Sequence, residues 1–168
     1  VIERVRPLAN EILITTNQPD EVGFLGMRLV ADIYAGRGAL VGLHTALVSS
    51  SHPYVGVVAC DMPFVSPVLL AYQLDCLIQD NVDLVVPLTV QGHEPFHAVY
   101  RKSTCLPAVE SALARGQKRM ISWYPEVRVR ELEHEDLVRI DPSGLAFMNI
   151  NTPEEFQAAE RLAQSAGV

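Results

Sequence analysis

This sequence predicts an α/β fold, a three-layer α/β/α doubly wound sheet of mostly parallel strands. Three observations carry that expectation. Segments of strand and helix character alternate along the chain, the signature of βα units. Val55-Gly56-Val57-Val58-Ala59-Cys60 is an unbroken apolar run, as expected of a strand covered on both faces. The run stops at Asp61, which puts a carboxylate at the carboxyl edge of the sheet, where open α/β sheets bind ligands. With 168 residues and no linker, repeat or low-complexity tract, the chain reads as one domain over residues 1–168.

The elements follow in order. Val1, Ile2, Val5 and Leu8 share a helical face that Pro7 and Asn10 end. Glu11 to Thr16 is a short β-rich strand closed by the loop Asn17-Gln18-Pro19-Asp20. Arg28 to Ala31 is a second extended piece, ending at Asp32. Gly36-Arg37-Gly38 then forms a flexible turn before a helix with Leu40, Leu43, Leu47 and Val48 inward. After the Val55 strand, Ser66 as N-cap and Pro67 at the first helical position open a helix whose core face is Leu70, Leu74, Leu77 and Ile78. Asp83 to Pro87 is a further buried strand, and His97 to Tyr100 another after a Gly/Pro-containing loop. Helical spacing returns over Leu106–Arg115 and Lys118–Tyr124, with Gly116 as the stop between them. Val127 to Leu132 alternates at period two and reads as a sheet edge. Phe147 to Asn151 reads as a strand leading into Thr152-Pro153-Glu154-Glu155, a capping box that starts the last helix, to about Gln164.

Composition narrows the partners. A net charge of −7 and a pI near 5.1 give no basic footprint for nucleic acid or an anionic membrane, so a phosphate-bearing partner is small and metal-bound. Cys60, Cys76 and Cys105 lie in apolar segments without C-x-x-C spacing and read as buried thiols of a cytoplasmic protein. No apolar run reaches membrane-span length.

Asp61 leads the candidate chemistry. A lone carboxylate at a strand end suits Mg²⁺, which takes one or two protein carboxylates and lets phosphate and water complete its shell; the competing reading is a turn cap. Asn17 and Asp32 are polar endings of two further strands. Gly38, before a helix N-terminus, permits close backbone approach by an anion. Asn149 and Asn151 flank Ile150, so on a strand both amides share a side. His93-Glu94-Pro95-Phe96-His97 matches H-E-x-x-H literally, but Pro95 opposes the helix that zinc chemistry needs; Glu94 or His97 reads instead as a hydrogen-bonding group near a polar substrate. The basic pairs Arg101-Lys102 and Lys118-Arg119 are candidates to receive an anionic second substrate, or are simply solvated.

Four segments, Gly38 to Leu43, Ala59-Cys60-Asp61-Met62-Pro63-Phe64, Glu94 to Arg101 and Asn149-Ile150-Asn151-Thr152-Pro153-Glu154-Glu155, together resemble the molybdenum cofactor guanylyltransferase family, of nucleotide-diphospho-sugar transferase-like (Rossmann-like) fold. The resemblance spans essentially the whole chain. It implies that Asp61 binds Mg²⁺ and nucleotide, that Asp32 and the strand end Thr15 to Asn17 contact GTP, and that Asn149 and Asn151 face the active site. Thr15 stands where some relatives have an amide. The family's opening strand and its Leu-Ala-Gly-Gly-x-Ser-x-Arg-Met-Gly loop, which hold the triphosphate, are not among these residues, so the expectation is a natural N-terminus cut off or left out. The implied reaction transfers GMP from GTP to the terminal phosphate of molybdopterin, the molybdenum-bound pterin, releasing pyrophosphate. The implied partners are GTP, molybdopterin, and molybdoenzymes or cofactor-assembly proteins. Two alternatives stand beside it: a cytidylyltransferase or other small-phosphate nucleotidyltransferase, and a non-catalytic nucleotide-binding protein should the phosphate loop be truly absent.

Overall fold

The structure, a computed structural model, describes residues 1–36 and 38–166. Its strands are β1 (Leu13–Thr15), β2 (Arg28–Val30), β3 (Tyr54–Val58), β4 (Leu84–Thr89), β5 (Gly92–His93), β6 (His97–Arg101) and β7 (Val129–Leu132). Its α-helices are α1 (Ile2–Val5), α2 (Pro19–Val22), α3 (Ala39–Ser49), α4 (Pro67–Gln79), α5 (Lys102–Ala114), α6 (His134–Ile140) and α7 (Pro153–Ala166).

Side-chain alternation on the strands builds the layers. Leu84, Val86, Ala98 and Tyr100 point to one face, where α3 and α5 bring Leu40, Leu43, Leu47, Val109 and Leu113; Trp123 completes that cluster. Val85 and Val99 point to the other, against Leu69, Leu70 and Leu77 of α4 and Leu137 of α6. Each fully buried leucine contributes about 1.5–3 kcal/mol, so both faces hold the sheet. The strand order is β3-β6-β4, with β5 and β7 also paired to β4. Tyr100 lies opposite both Val55 and Leu84, and Leu84 opposite Val129. β6 runs antiparallel to β3 and β4, and β7 parallel to β4, so β3, β4 and β7 share one direction and one carboxyl edge.

β1 and β2 form a separate parallel pair, and α3 packs on both β1 and β3. Glu11, just before β1, accepts the Ser51 N–H at 2.8 Å beyond the C-terminus of α3, whereas Asp32, just after β2, is reached by Thr45 midway along that helix. β1 and β2 therefore run against α3, as β3 does, and all these strands end toward the same side.

Several expectations need correction. Lys118–Tyr124 is not a helix: the chain passes through turns to a 3₁₀ segment at Tyr124–Glu126. Gly116, at φ +73°, ends α5 with a Schellman pair, its N–H on Leu113 O at 2.9 Å and that of Gln117 on Ala112 O at 3.0 Å. Beyond it the apolar spacing serves to drop Trp123, fully buried, into the core. Ile78 is 49% exposed, not inward. Phe147 to Asn151 contains no strand, the loop at Asn17 includes α2, and α6 and the β4–β5 hairpin were not anticipated. Cys60 is exposed; only Cys76 and Cys105 are buried.

Candidate active site

The strand expected to reach Cys60 ends at Val58. Two turns follow, Met62 N–H on Ala59 O at 3.4 Å and Val65 N–H on Met62 O at 3.3 Å. Met62, Phe64 and Val65 are buried and fasten this loop into the core, which leaves half-buried Asp61 displayed beyond the carboxyl end of β3. Among the described residues its carboxylate has no hydrogen-bond or ion-pair partner, so both oxygens are open to a ligand. A solitary, uncommitted carboxylate of this kind fits the donor chemistry of Mg²⁺, which needs few protein ligands when phosphates supply the rest.

The Asp61 backbone is already engaged. Its carbonyl accepts the Ile150 N–H at 2.9 Å, which joins two segments far apart in sequence. Asn149 and Asn151 thus lie beside Asp61, but on a loop and not on a strand: a 3₁₀ turn at Leu145–Phe147 precedes them, and the capping box of α7 follows. Glu155 Oε2 accepts the N–H groups of Asn151 (2.7 Å) and Thr152 (3.0 Å), and Thr152 Oγ1 accepts the Glu155 N–H at 3.2 Å. The anticipated capping box is present, and it fixes the backbone at Asn151. Both asparagines are exposed, and neither side-chain amide finds a hydrogen-bond partner among the described residues.

Asn17 and Asp32 form a second group. The Asn17 Nδ2 donates to Asp32 Oδ2 at 2.7 Å, and Asn17 Oδ1 accepts the Asp32 N–H at 3.0 Å. Thr45 Oγ1, from buried α3, donates to Asp32 Oδ1 at 3.4 Å and accepts the Ile33 N–H at 3.2 Å. Asn17 is therefore a clamp between strand ends, not a local turn residue. Thr15 lies within β1 opposite Val30, half-buried. Gly38 caps α3 at φ +141°, a backbone state that side chains rarely adopt, and its carbonyl accepts both Val41 and Gly42 N–H groups at 3.1 and 3.2 Å. Arg37 lies outside the described residues. No hydrogen bond joins this group to Asp61 among the described residues; the common direction of the strands is what places the two on one side.

The H-E-x-x-H residues are divided between elements. His93, on β5, meets Glu131 at 2.6 Å. His97, fully buried at the start of β6, accepts the Ser66 N–H on Nε2 at 3.1 Å, and burial lowers its pKa to about 4. Among the described residues no cluster of three His, Cys, Asp or Glu could hold a metal ion. Glu94 is half-buried; burial pushes its carboxyl up, against the Thr89 hydroxyl that donates to it at 3.0 Å. Of the basic pairs, Arg101-Lys102 is consumed by structure: Lys102 Nζ caps α3 through Val48 O (3.1 Å) and Ser50 O (2.7 Å), and Arg101 binds Val82 O and Leu77 O. Lys118 and Arg119 are exposed, with no ion pair among the described residues. β6 ends at the amino edge, and α5 leads from there to Lys118-Arg119. Sequence reasoning missed Thr45 as a support of Asp32, because only the fold shows which groups it serves; Ser66, expected as an N-cap and found as one, also gives its own N–H to His97.

Residues 1–129 match the MobA-like NTP transferase domain family. The chain is 35% identical over 161 residues to the molybdenum cofactor guanylyltransferase of Desulfosudis oleivorans, a match that covers 95% of this chain and 78% of that protein. The crystal structure of molybdopterin-guanine dinucleotide biosynthesis protein A from Archaeoglobus fulgidus superposes with a TM-score of 0.78 at 25% identity, over 98% of this chain and 85% of that one. The 2-C-methyl-D-erythritol 4-phosphate cytidylyltransferase of Thermus thermophilus shares the fold, with a TM-score of 0.69 at 19% identity over 97% and 86% of the two chains.

Proposed function

We propose, from the premise that the chain belongs to the MobA-like NTP transferase family, that it transfers GMP from GTP to the terminal phosphate of molybdopterin and releases pyrophosphate. The observation that carries this reading is the bond from Ile150 N–H to the Asp61 carbonyl, which joins at a carboxyl edge the loops that carry a carboxylate and two amides, all three without a partner among the described residues. The acceptor phosphate oxygen attacks the α-phosphorus in line, and the bond to the β-phosphate oxygen breaks as the new one forms. No protein nucleophile is required, so the residues act by binding and orientation. Asp61 would hold Mg²⁺, which when bound neutralises phosphate charge. Asn149 and Asn151 orient the nucleotide by amide hydrogen bonds. Asp32, held by Asn17 and Thr45, presents a fixed acceptor to GTP beside Thr15 and the Gly38 cap. Lys118-Arg119 offers the free positive charge for an anionic pterin.

The test is pyrophosphate release with GTP and molybdenum-bound pterin, with and without Mg²⁺, and with CTP in place of GTP. Asp61→Ala is expected to abolish turnover and keep the fold. Near-normal Mg²⁺-dependent activity of that variant, or equal use of CTP, overturns the assignment of residue or base.

A further inference from the structure

Asp32 and Gly38 both stand against the nucleotide in the proposed reaction, yet the residues that lead from one toward the other are lightly tied. Thr45 Oγ1 donates to Asp32 Oδ1 at 3.4 Å and accepts the Ile33 N–H at 3.2 Å. The Gly38 carbonyl is bound into the first turn of α3 by the Val41 and Gly42 N–H groups. Between these anchors, Tyr34, Ala35 and Gly36 make no hydrogen bond or ion pair among the described residues. Gly36 lies at φ +133° and Gly38 at φ +141°. Glycine loses the most conformational freedom when a path is fixed, so the hold on this segment has to come from a side chain.

Tyr34 supplies it. Its ring meets that of His44 at a centroid distance of 5.8 Å and an interplanar angle of 75°, the edge-to-face arrangement that aromatic rings favour. The two settings differ: Tyr34 is 37% exposed, whereas His44 is 5% exposed, on a helix whose Leu40, Leu43 and Leu47 are locked in the core. His44 also meets α5, where Glu110 Oε1 lies 3.5 Å from Nε2. Its Nδ1 is buried and has no hydrogen-bond partner among the described residues. We propose that His44 is a positioning residue for the nucleotide, pinning the segment after Asp32 to the α3–α5 layer through the Tyr34 ring. Thr45, the next residue of α3 and about 100° further around its axis, holds Asp32 itself. Asp32 and the segment that follows it are therefore both referred to one buried helix. The positioning role rests on the nucleotidyl-transfer reading; the ring contact does not.

The test is equilibrium binding of GTP in the presence of Mg²⁺, together with kcat, across a double-mutant cycle of His44→Ala and Tyr34→Leu. Each single substitution is expected to weaken GTP binding about two- to tenfold, the worth of one aromatic pair, with a smaller change in kcat. The double variant is expected to bind about as weakly as the weaker single one. His44→Phe, which keeps a ring against Tyr34 and gives up Glu110, restores most of the binding. A lowered Tm with binding unchanged, or losses that multiply in the double variant, overturns the positioning role. Should His44→Ala fail to fold, the exposed position decides: a loss in Tyr34→Leu that Tyr34→Phe recovers supports the role, and unchanged binding overturns it. Without any nucleotide, a nuclear Overhauser effect between the ring protons of Tyr34 and His44 is expected in the unsubstituted protein, and its absence overturns the contact. If the unsubstituted protein binds GTP but transfers nothing, the transfer reading falls while the cycle still judges His44; if it binds no GTP, the positioning role falls as well.

Discussion

Replacing Asp83 by alanine separates a carboxylate that holds the fold from one that serves the site. Asp83 is only 5% exposed and accepts three bonds from Arg128: the backbone N–H at 2.9 Å, and Nε and Nη2 at 3.1 Å each. Burial alone would raise its pKa, but these bonds outweigh it and leave the carboxyl below its usual value. Removing an acceptor from a charge-assisted bond costs about 1.5–3 kcal/mol, and stranding a buried N–H about 1–3. The Arg128 side chain is 59% exposed and recovers water, so the guanidinium bonds are discounted, and the total is about 3 kcal/mol. For a chain of this length that lowers Tm by about 6–12 °C. Urea denaturation of Asp83→Ala against the unsubstituted protein measures it. The sign of the pH dependence follows: a depressed carboxyl stabilises fully above its unfolded pKa near 4, and that contribution disappears as pH falls through the lower folded value, so the gap between the two proteins closes in acid. Asp61→Ala, by contrast, is expected to change stability by less than about 0.5 kcal/mol, since its carboxylate has no partner to lose among the described residues. An Asp83→Ala loss under about 1 kcal/mol, or an Asp61→Ala loss as large as that of Asp83→Ala, refutes the distinction.

His97 makes its own pH prediction. Burial lowers it to about 4, from about 6.5 in an unfolded chain, so only the unfolded state takes up the proton between those values. Its contribution is complete above about pH 6.5 and falls by about 3 kcal/mol on approach to pH 4; urea curves of His97→Gln should lack that component, and parallel curves for the two proteins would count against it. Glu155→Ala frees the Asn151 and Thr152 N–H groups; about 1 kcal/mol of helix capping should go, and the KM for GTP should rise, whereas unchanged kinetics would detach Asn151 from nucleotide binding. Cys60 is exposed while Cys76 and Cys105 are buried, and burial pushes the Cys105 thiol up to about 12. A thiol reagent at mild alkaline pH should therefore label Cys60 alone in the folded protein and all three after unfolding; rapid labelling of Cys105 would contradict its environment.

Local chemistry alone marked much of this chain. The apolar run before Asp61 announces a strand, although it stops at Val58 and only Val55 in it is buried; Ser66-Pro67 announces a helix start that the Ser66 hydroxyl does cap, at 3.3 Å from the Leu69 N–H, and Thr152 to Glu155 announces a box that closes as its spacing requires. Each depends on residues within a few positions of one another, so the sequence carries it whole. Apolar spacing is weaker evidence, because it records burial and not backbone conformation: the Met120–Tyr124 stretch is apolar for the sake of Trp123 in the core, and Asn149–Asn151 alternates without being a strand. The antiparallel direction of β6, the reciprocal Asn17–Asp32 clamp, the Ile150 bond to Asp61 and the burial of His97 between two loops all join residues far apart along the chain. Only the tertiary structure decides them, since a hydrogen bond acts over about 3 Å of space and is indifferent to separation in sequence.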